Sequence, residues 1–202
     1  MIVHLLVLTN ATVSSYDIIS HQIFHPMIPK PMDGLPTFPD KHTILFERAV
    51  AATREKIWAA LTQKQALDQW FMETDIELKV NGKFSFKGGW NGWIAALQPL
   101  EYIQFNSSKE AFSRFEIHPG QQGHVVRIID RMGTAIAITD QTAIADQQPG
   151  GPGTHWVGVL AGWHDFSDSL AAYLKGEKPQ DQYEALCVFY KDFLERHYSQ
   201  AK

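Results

Sequence analysis

Eight apolar side chains near the C-terminal end constrain this chain more than any other feature. Trp156, Val159, Leu160, Trp163, Phe166, Leu170, Tyr173 and Leu174 recur at spacings of three and four, which is one face of a helix sustained over about five turns. The breaker Gln148-Pro149-Gly150-Gly151-Pro152-Gly153 precedes the run, Thr154 offers an N-cap, and Gly176 offers a stop. A stripe this rich in aromatic rings requires a broad apolar surface to lie on. Gly158 and Gly162, four apart beside it, remove side chains where the helix approaches that surface or leaves room for a ligand.

The middle of the chain can supply the surface. In the strand pattern that opens at Thr43, Ile44, Phe46 and Arg48 alternate with Leu45, Glu47 and Ala49. Two short helices follow. Thr53 caps Arg54 to Leu61, and Thr62 with Gln65 forms a capping box for a second helix that carries Leu67, Trp70 and Phe71. Beyond Asp75, turn signals at Asn81-Gly82, Gly88-Gly89, Asn91-Gly92, Pro99, Ser107-Ser108 and Pro119-Gly120 cut the sequence into β-length segments. Phe84 and Phe86, Ile103 and Phe105, and Phe115 and Ile117 each share a parity, whereas Lys83, Ser85, Lys87, Gln104 and Arg114 take the other. A meander with one apolar and one polar face is expected.

Residues 43–176 therefore read as one α+β domain. Residues 1–42 form an N-terminal extension whose prolines at 26, 29, 31, 36 and 39 suit an extended connector. Residues 177–202 hold an additional helix, opening at Asp181 with Glu184 in capping position and presenting Tyr183, Leu186, Phe189, Tyr190, Phe193 and Leu194 on one face. It packs onto the domain or onto a second copy in a homodimer; both destinations are open.

Eighteen basic against twenty-two acidic side chains give a net charge of −4, without the basic footprint that nucleic acid requires. A single cysteine, Cys187, allows no internal disulfide and suits a reducing compartment. Met1 to Leu8 lacks a positive n-region and its apolar run is short, and no stretch is long enough to span a bilayer, so a cytoplasmic location is expected. His21 and His25 share a helical face, but two ligands do not complete a metal site. No metal and no cofactor are expected.

Three blocks carry a resemblance. Val50-Ala51-Ala52-Thr53-Arg54-Glu55-Lys56-Ile57-Trp58 through Gln69-Trp70-Phe71, then Asn81-Gly82-Lys83-Phe84-Ser85-Phe86 with Gly92-Trp93-Ile94, and finally Gly153-Thr154-His155-Trp156 through Leu174 resemble, in order, the bacterial homologues of the heat shock protein 90 ATPase activator, within the START-like (SRPBCC) superfamily. The likeness covers about two thirds of the chain, and Asn81 stands where a second glycine is common. It implies a helix-grip fold, a curved antiparallel β-sheet wrapped around a long C-terminal helix, with two short helices after the first strand. It also implies a cavity between helix and sheet, open to lipid, polyketide-like or aromatic molecules.

The side chains that should converge on that space are Phe71, Phe84, Phe86, Trp90, Phe105, Phe115, Trp156, Leu160 and Trp163. They either line a pocket or simply fill it. Catalysis has few candidates, because nucleophile elbows, zinc motifs, phosphate loops and dinucleotide fingerprints are missing from the sequence. His155 and His164, nine apart, project from opposite sides of the helix, and His164 with Asp168 reads as a solvated helix surface. Arg114, Asp130 and Arg131 read as sheet-surface ion pairs or as a polar spot at a pocket mouth. Binding of a hydrophobic small molecule leads, ahead of chaperone ATPase regulation and of a cyclase- or hydrolase-like enzyme; the last requires titratable groups that project into the pocket.

Overall fold

The computed structural model describes residues 34–133 and 156–198. Strands β1 (Thr37–Asp40) and β2 (Thr43–Val50) lead into helices α1 (Arg54–Thr62) and α2 (Lys64–Trp70). Six strands follow: β3 (Thr74–Ile76), β4 (Lys83–Phe86), β5 (Asn91–Gln98), β6 (Tyr102–Asn106), β7 (Phe112–Gly120) and β8 (Gly123–Arg131). Helices α3 (Trp156–Lys175) and α4 (Tyr183–Tyr198) close the described chain. The eight strands form one antiparallel sheet in the order β1-β2-β8-β7-β6-β5-β4-β3, so β2 joins the meander by pairing with its last strand, from Thr43 opposite Arg131 to Val50 opposite His124.

Parity does what the sequence implies. Phe84, Phe86, Ile94, Ile103, Phe105, Phe115, Ile117, Val126 and Ile128 are all buried on the inner face, against Trp156, Leu160, Trp163, Leu170 and Leu174 of α3. A register shift between Ile94 and Ala96 bends the sheet in its middle. The result is a curved antiparallel sheet around a long helix, as the resemblance implies. Helix α3 ends where expected: Gly176 adopts φ +79, its N–H donates to the Tyr173 carbonyl, and the Glu177 N–H reaches back to Ala172. That pair of bonds is a Schellman stop.

Four local expectations are revised. The sheet starts earlier, inside the proline-rich stretch, because Pro39 lies on edge strand β1, where a missing donor is tolerated; the two short helices thus follow the second strand, not the first. Thr62 does not cap α2: it is the last residue of α1, its hydroxyl donates to the Trp58 carbonyl at 2.7 Å, and Gln63 takes the cap position without a side-chain bond. Gly158 and Gly162 do not let α3 approach the sheet. A Cβ on Gly158 would lie 3.1 Å from the Tyr183 hydroxyl, and one on Gly162 4.0 Å from the same ring, so they give α4 its place. The fourth, the environment of His164, belongs to the site below.

Thr53 does cap α1, accepting from the Lys56 N–H at 3.2 Å. Asn81, the departure from the family's glycine, sits at φ 64, a left-handed conformation that asparagine tolerates better than most residues. Its neighbour has no such latitude, since a Cβ on Gly82 would stand 2.0 Å from the Glu77 carbonyl oxygen. Helix α4 packs on α3 through Leu186, Tyr190 and Leu194, each fully buried, and Asp165 of α3 accepts the Gln182 N–H at 2.9 Å to fix where α4 begins. Thr154, His155 and the histidines at 21 and 25 lie outside the described residues.

Candidate functional site

Aromatic rings occupy the space between α3 and the open half of the sheet. Phe71, at the end of α2, stands 4.4 Å from Phe166 and 5.1 Å from Phe86, and Phe86 stacks on Trp90 at 4.7 Å (ring centroids). Phe84 and Phe105 meet edge to face at 5.0 Å, Phe115 lies 5.7 Å from Trp163, and Trp163 lies 6.0 Å from Trp90. Offset and edge-on rings at these separations attract one another beyond the area they bury. Beside this cluster a concavity of about 420 Å³ remains among the described residues, lined by Trp90, Ser107, Ala111, Phe112, Ser113, Asp130, Arg131, Met132, Gly133, Gly158, Val159, Gly162, Trp163 and Phe166.

Of the nine side chains expected to converge, Trp90 and Trp163 border this concavity. Phe71, Phe84, Phe86, Phe105 and Phe115 are joined to those two through ring contacts. Trp156 and Leu160 are buried in the core and do not reach the concavity. The Trp156 indole N–H finds no hydrogen-bond partner among the described residues. Gly158, Gly162, Val159 and Phe166 bring the helix side of the wall.

Of the polar residues on the wall, Ser107, Ser113, Asp130 and Arg131, the carboxyl is Asp130, which is not a surface ion pair. It shares the parity of Val126 and Ile128 on β8, and its residue is only 8% exposed. Its cross-strand neighbours are Ser113 on β7 and Ile44 on β2; Phe105 pairs with Ser113 in turn and Ile94 with Phe105. One inward row therefore runs Ile44, Asp130, Ser113, Phe105, Ile94, buried throughout. The Ser113 hydroxyl donates to Asp130 Oδ1 at 2.5 Å, and the Trp163 side chain adds a second hydrogen bond. Burial pushes the Asp130 carboxyl above its ordinary range, with the bonds from Ser113 and Trp163 pulling the other way. Arg114 and Arg131 do face outward as expected: Arg114 pairs with Glu116 at 2.7 Å and lies over the Tyr102 ring, and Arg131 reaches Asp40 and Thr43 at 3.0 and 3.1 Å.

A second polar cluster lies where β2, α3 and α4 meet. Arg48 takes the inward parity of Ile44 and Phe46, and its Nη2 bonds Asp168 Oδ1 at 2.5 Å and Ser167 Oγ at 3.0 Å. His164 is fully buried rather than solvated, because α4 covers that side of α3. Its Nδ1 shares a 2.6 Å hydrogen bond with the Tyr190 hydroxyl, and its Nε2 lies 3.8 Å from Asp168. Burial first, and the Arg48 charge second, lower the His164 pKa to about 4, so the ring is neutral near pH 7. Burial raises Asp168, against the pull of Arg48 and then Lys175.

Among the described residues no group of three or more His, Cys, Asp or Glu is placed to hold a metal ion. No described helix is long and apolar enough to cross a membrane. Cys187 is half-buried and its thiol is pushed up by burial, away from the reactive thiolate form.

Comparisons place this geometry. No curated protein matches the sequence. Solved structures with a similar fold include CalU16 from Micromonospora echinospora, 16% identical over 76% of this chain and 86% of that one, with a TM-score of 0.57. Another is a conserved protein of unknown function from Enterococcus faecalis, EF2215, at 19% identity, 82% and 92% coverage and a TM-score of 0.58. DynU16, of the dynemicin biosynthetic locus, is 21% identical over 70% of this chain and 49% of its own length, with a TM-score of 0.53. Such identities speak for the fold alone. The family model described as "Activator of Hsp90 ATPase homolog 1-like protein" matches residues 51–175, a span from the start of α1 to the end of α3. By that match over more than half its length, the chain is a member of the activator of Hsp90 ATPase homolog 1-like family.

Proposed function

We propose that the chain binds a hydrophobic small molecule between α3 and the sheet, in the concavity beside Trp90 and Trp163. One observation carries this: where a fully packed core would have filled the gap, about 420 Å³ stays open between Phe112, Met132, Val159, Trp163 and Phe166, a size within the usual range for small-molecule sites. The walls are mostly carbon and indole, with Ser107, Ser113 and Arg131 as further polar residues and Asp130 as the one carboxyl, which suits an apolar body with an oriented polar group. Phe71, Phe84, Phe86, Phe105 and Phe115 form the rigid bed behind these walls, and Trp156 and Leu160 seat the helix. Replacing Val159, a partly buried residue on the wall of the space, with tryptophan puts a larger ring there; it should leave the fold intact and weaken the uptake of an uncharged hydrophobic probe such as Nile red about tenfold or more. Equal uptake by wild type and Val159→Trp would place the probe elsewhere.

A second reading rests on the family's description, which names activation of the Hsp90 ATPase. Adding the purified chain to an Hsp90 ATPase assay tests it, and an unchanged rate at saturating chain argues against it. Catalysis is favoured less. Asp130 is a titratable group at the pocket, as an enzyme would need, but the described wall offers it no second carboxyl or imidazole with which to share a proton cycle.

A further inference from the structure

Asp130 is an unusual choice for an apolar wall. The row it occupies is otherwise Ile44, Phe105 and Ile94 plus Ser113, and a carboxyl there costs desolvation that an aliphatic residue would not. Its bonds from Ser113 and Trp163 come from neutral donors, and no described lysine or arginine forms an ion pair with it. Arg131, its chain neighbour, carries its guanidinium to Asp40 and Thr43 instead. The carboxyl oxygens can accept more bonds than these two donors supply.

We propose that Asp130 is the anchor that makes this pocket select hydrophobic molecules carrying a protonated amine. The proposal rests on the pocket reading above and sharpens it to a ligand class. An ammonium group at the wall brings the missing countercharge together with N–H donors, and a charge-assisted bond of this kind is about twice as strong as a neutral one. Trp90 and Trp163, whose rings border the same space, can hold the cation over an aromatic face. Ser113 and the Trp163 indole then act as positioning groups: they leave Asp130 one orientation, set before the ligand arrives.

The test is calorimetric titration of the full chain, near neutral pH, with four probes on one ring system: anthracenylmethylamine, its N-acetyl derivative, anthracenylmethanol and anthracene carboxylate. The expected order has the amine about tenfold tighter than the alcohol and the acetamide, with the carboxylate weakest. Asp130→Asn should bring the amine down to the level of the alcohol, the alcohol losing far less than the amine, and an unchanged circular dichroism spectrum shows that the variant is folded. The acetamide makes the same comparison on the unaltered protein, so the outcome does not hang on the variant. If the alcohol and amine bind equally to wild type, or Asp130→Asn keeps the amine preference, the anchor is refuted while the pocket stands. If none of the four binds, the pocket reading fails and takes the anchor with it.

Discussion

Asp130, on β8, and Asp168, on helix α3 itself, are both carboxyls pushed upward by burial, yet the fold provides for them in opposite ways. Asp168 faces an arginine at 2.5 Å, inside a cluster that Ser167, His164 and Tyr190 complete from two helices. Asp130 faces a hydroxyl and an indole, and beyond them open space. A charge that is matched and sealed fixes elements to one another, whereas one left to neutral donors beside a concavity keeps its strongest interaction in reserve. The contrast separates the part of the molecule that holds α4 and α3 on the sheet from the part that can meet a ligand.

The matched side is the easier to break. Arg48→Met keeps the aliphatic stem but leaves Asp168 without its cation, and removal of one partner from a mostly buried pair costs about 3–5 kcal/mol. Urea unfolding should show a loss of that order. A loss under about 1 kcal/mol would mean that Asp168 is already neutral or solvated in the native state, and the proposed division between the two aspartates would lapse.

Acid should loosen the same cluster, by a smaller amount. His164 titrates at about 4 when folded, against 6.5 in the unfolded chain, so between these values it is the unfolded state that takes up the proton. Stability from this group is complete above about pH 6.5 and declines as the pH falls toward 4, by about 3 kcal/mol at most. Asp168 and Asp130, raised by burial, have the opposite sign: they take up protons first in the folded state, and soften the loss at its acidic end. Urea midpoints measured from about pH 7 down to about pH 4.5 should drop, and His164→Gln should flatten that slope. An equal slope in the variant would assign the acid sensitivity to other groups.

How much of this was legible beforehand depended on whether one element's pattern sufficed. Strand parity at Phe84 and Phe86, and the three-four spacing of Trp156 to Leu174, are local and strong, so the sheet, the long helix and their facing surfaces could be read directly. The environment of His164 could not, because the pairing of His164 with Asp168 is the same in a solvated helix. What buries it is α4, an element whose docking no spacing within α3 records. The signal that existed was Arg48, which shares parity with the inward Ile44 and Phe46 and therefore had to find a partner under the helix. Asp130 offered the same clue through Val126 and Ile128, but the adjacent Arg131 made a surface pair the more natural reading. The glycines at 158 and 162 were visible as missing side chains, while the ring they admit, Tyr183, belongs to a helix outside the family pattern.

A finer probe of the matched cluster is Tyr190→Phe. The ring stays, but His164 Nδ1 loses the hydroxyl it bonds in the core, and an unsatisfied buried nitrogen costs about 1–2 kcal/mol. The variant should melt earlier by a few degrees, with the loss shrinking in a His164→Leu background, where the nitrogen no longer needs a partner. Additive losses would show that the hydroxyl acts on something other than His164.

The smallest expected effect is also the one with the opposite sign. Asp130→Asn removes a charge that no described cation offsets, and the new amide can still be satisfied: its carbonyl oxygen accepts from the Trp163 indole, and the Ser113 hydroxyl, free to rotate, turns round to accept from the amide N–H. Near neutral pH the variant should therefore be as stable as the wild type or gain up to about 1 kcal/mol, and its advantage should vanish as acid neutralises the native carboxyl. Asp168→Asn, which strands Arg48 in the interior, should lose stability in the same assay. A residue whose replacement stabilises the fold is held in place by something other than the fold; if instead both substitutions destabilise alike, Asp130 is a structural group, and the open space beside it needs another explanation.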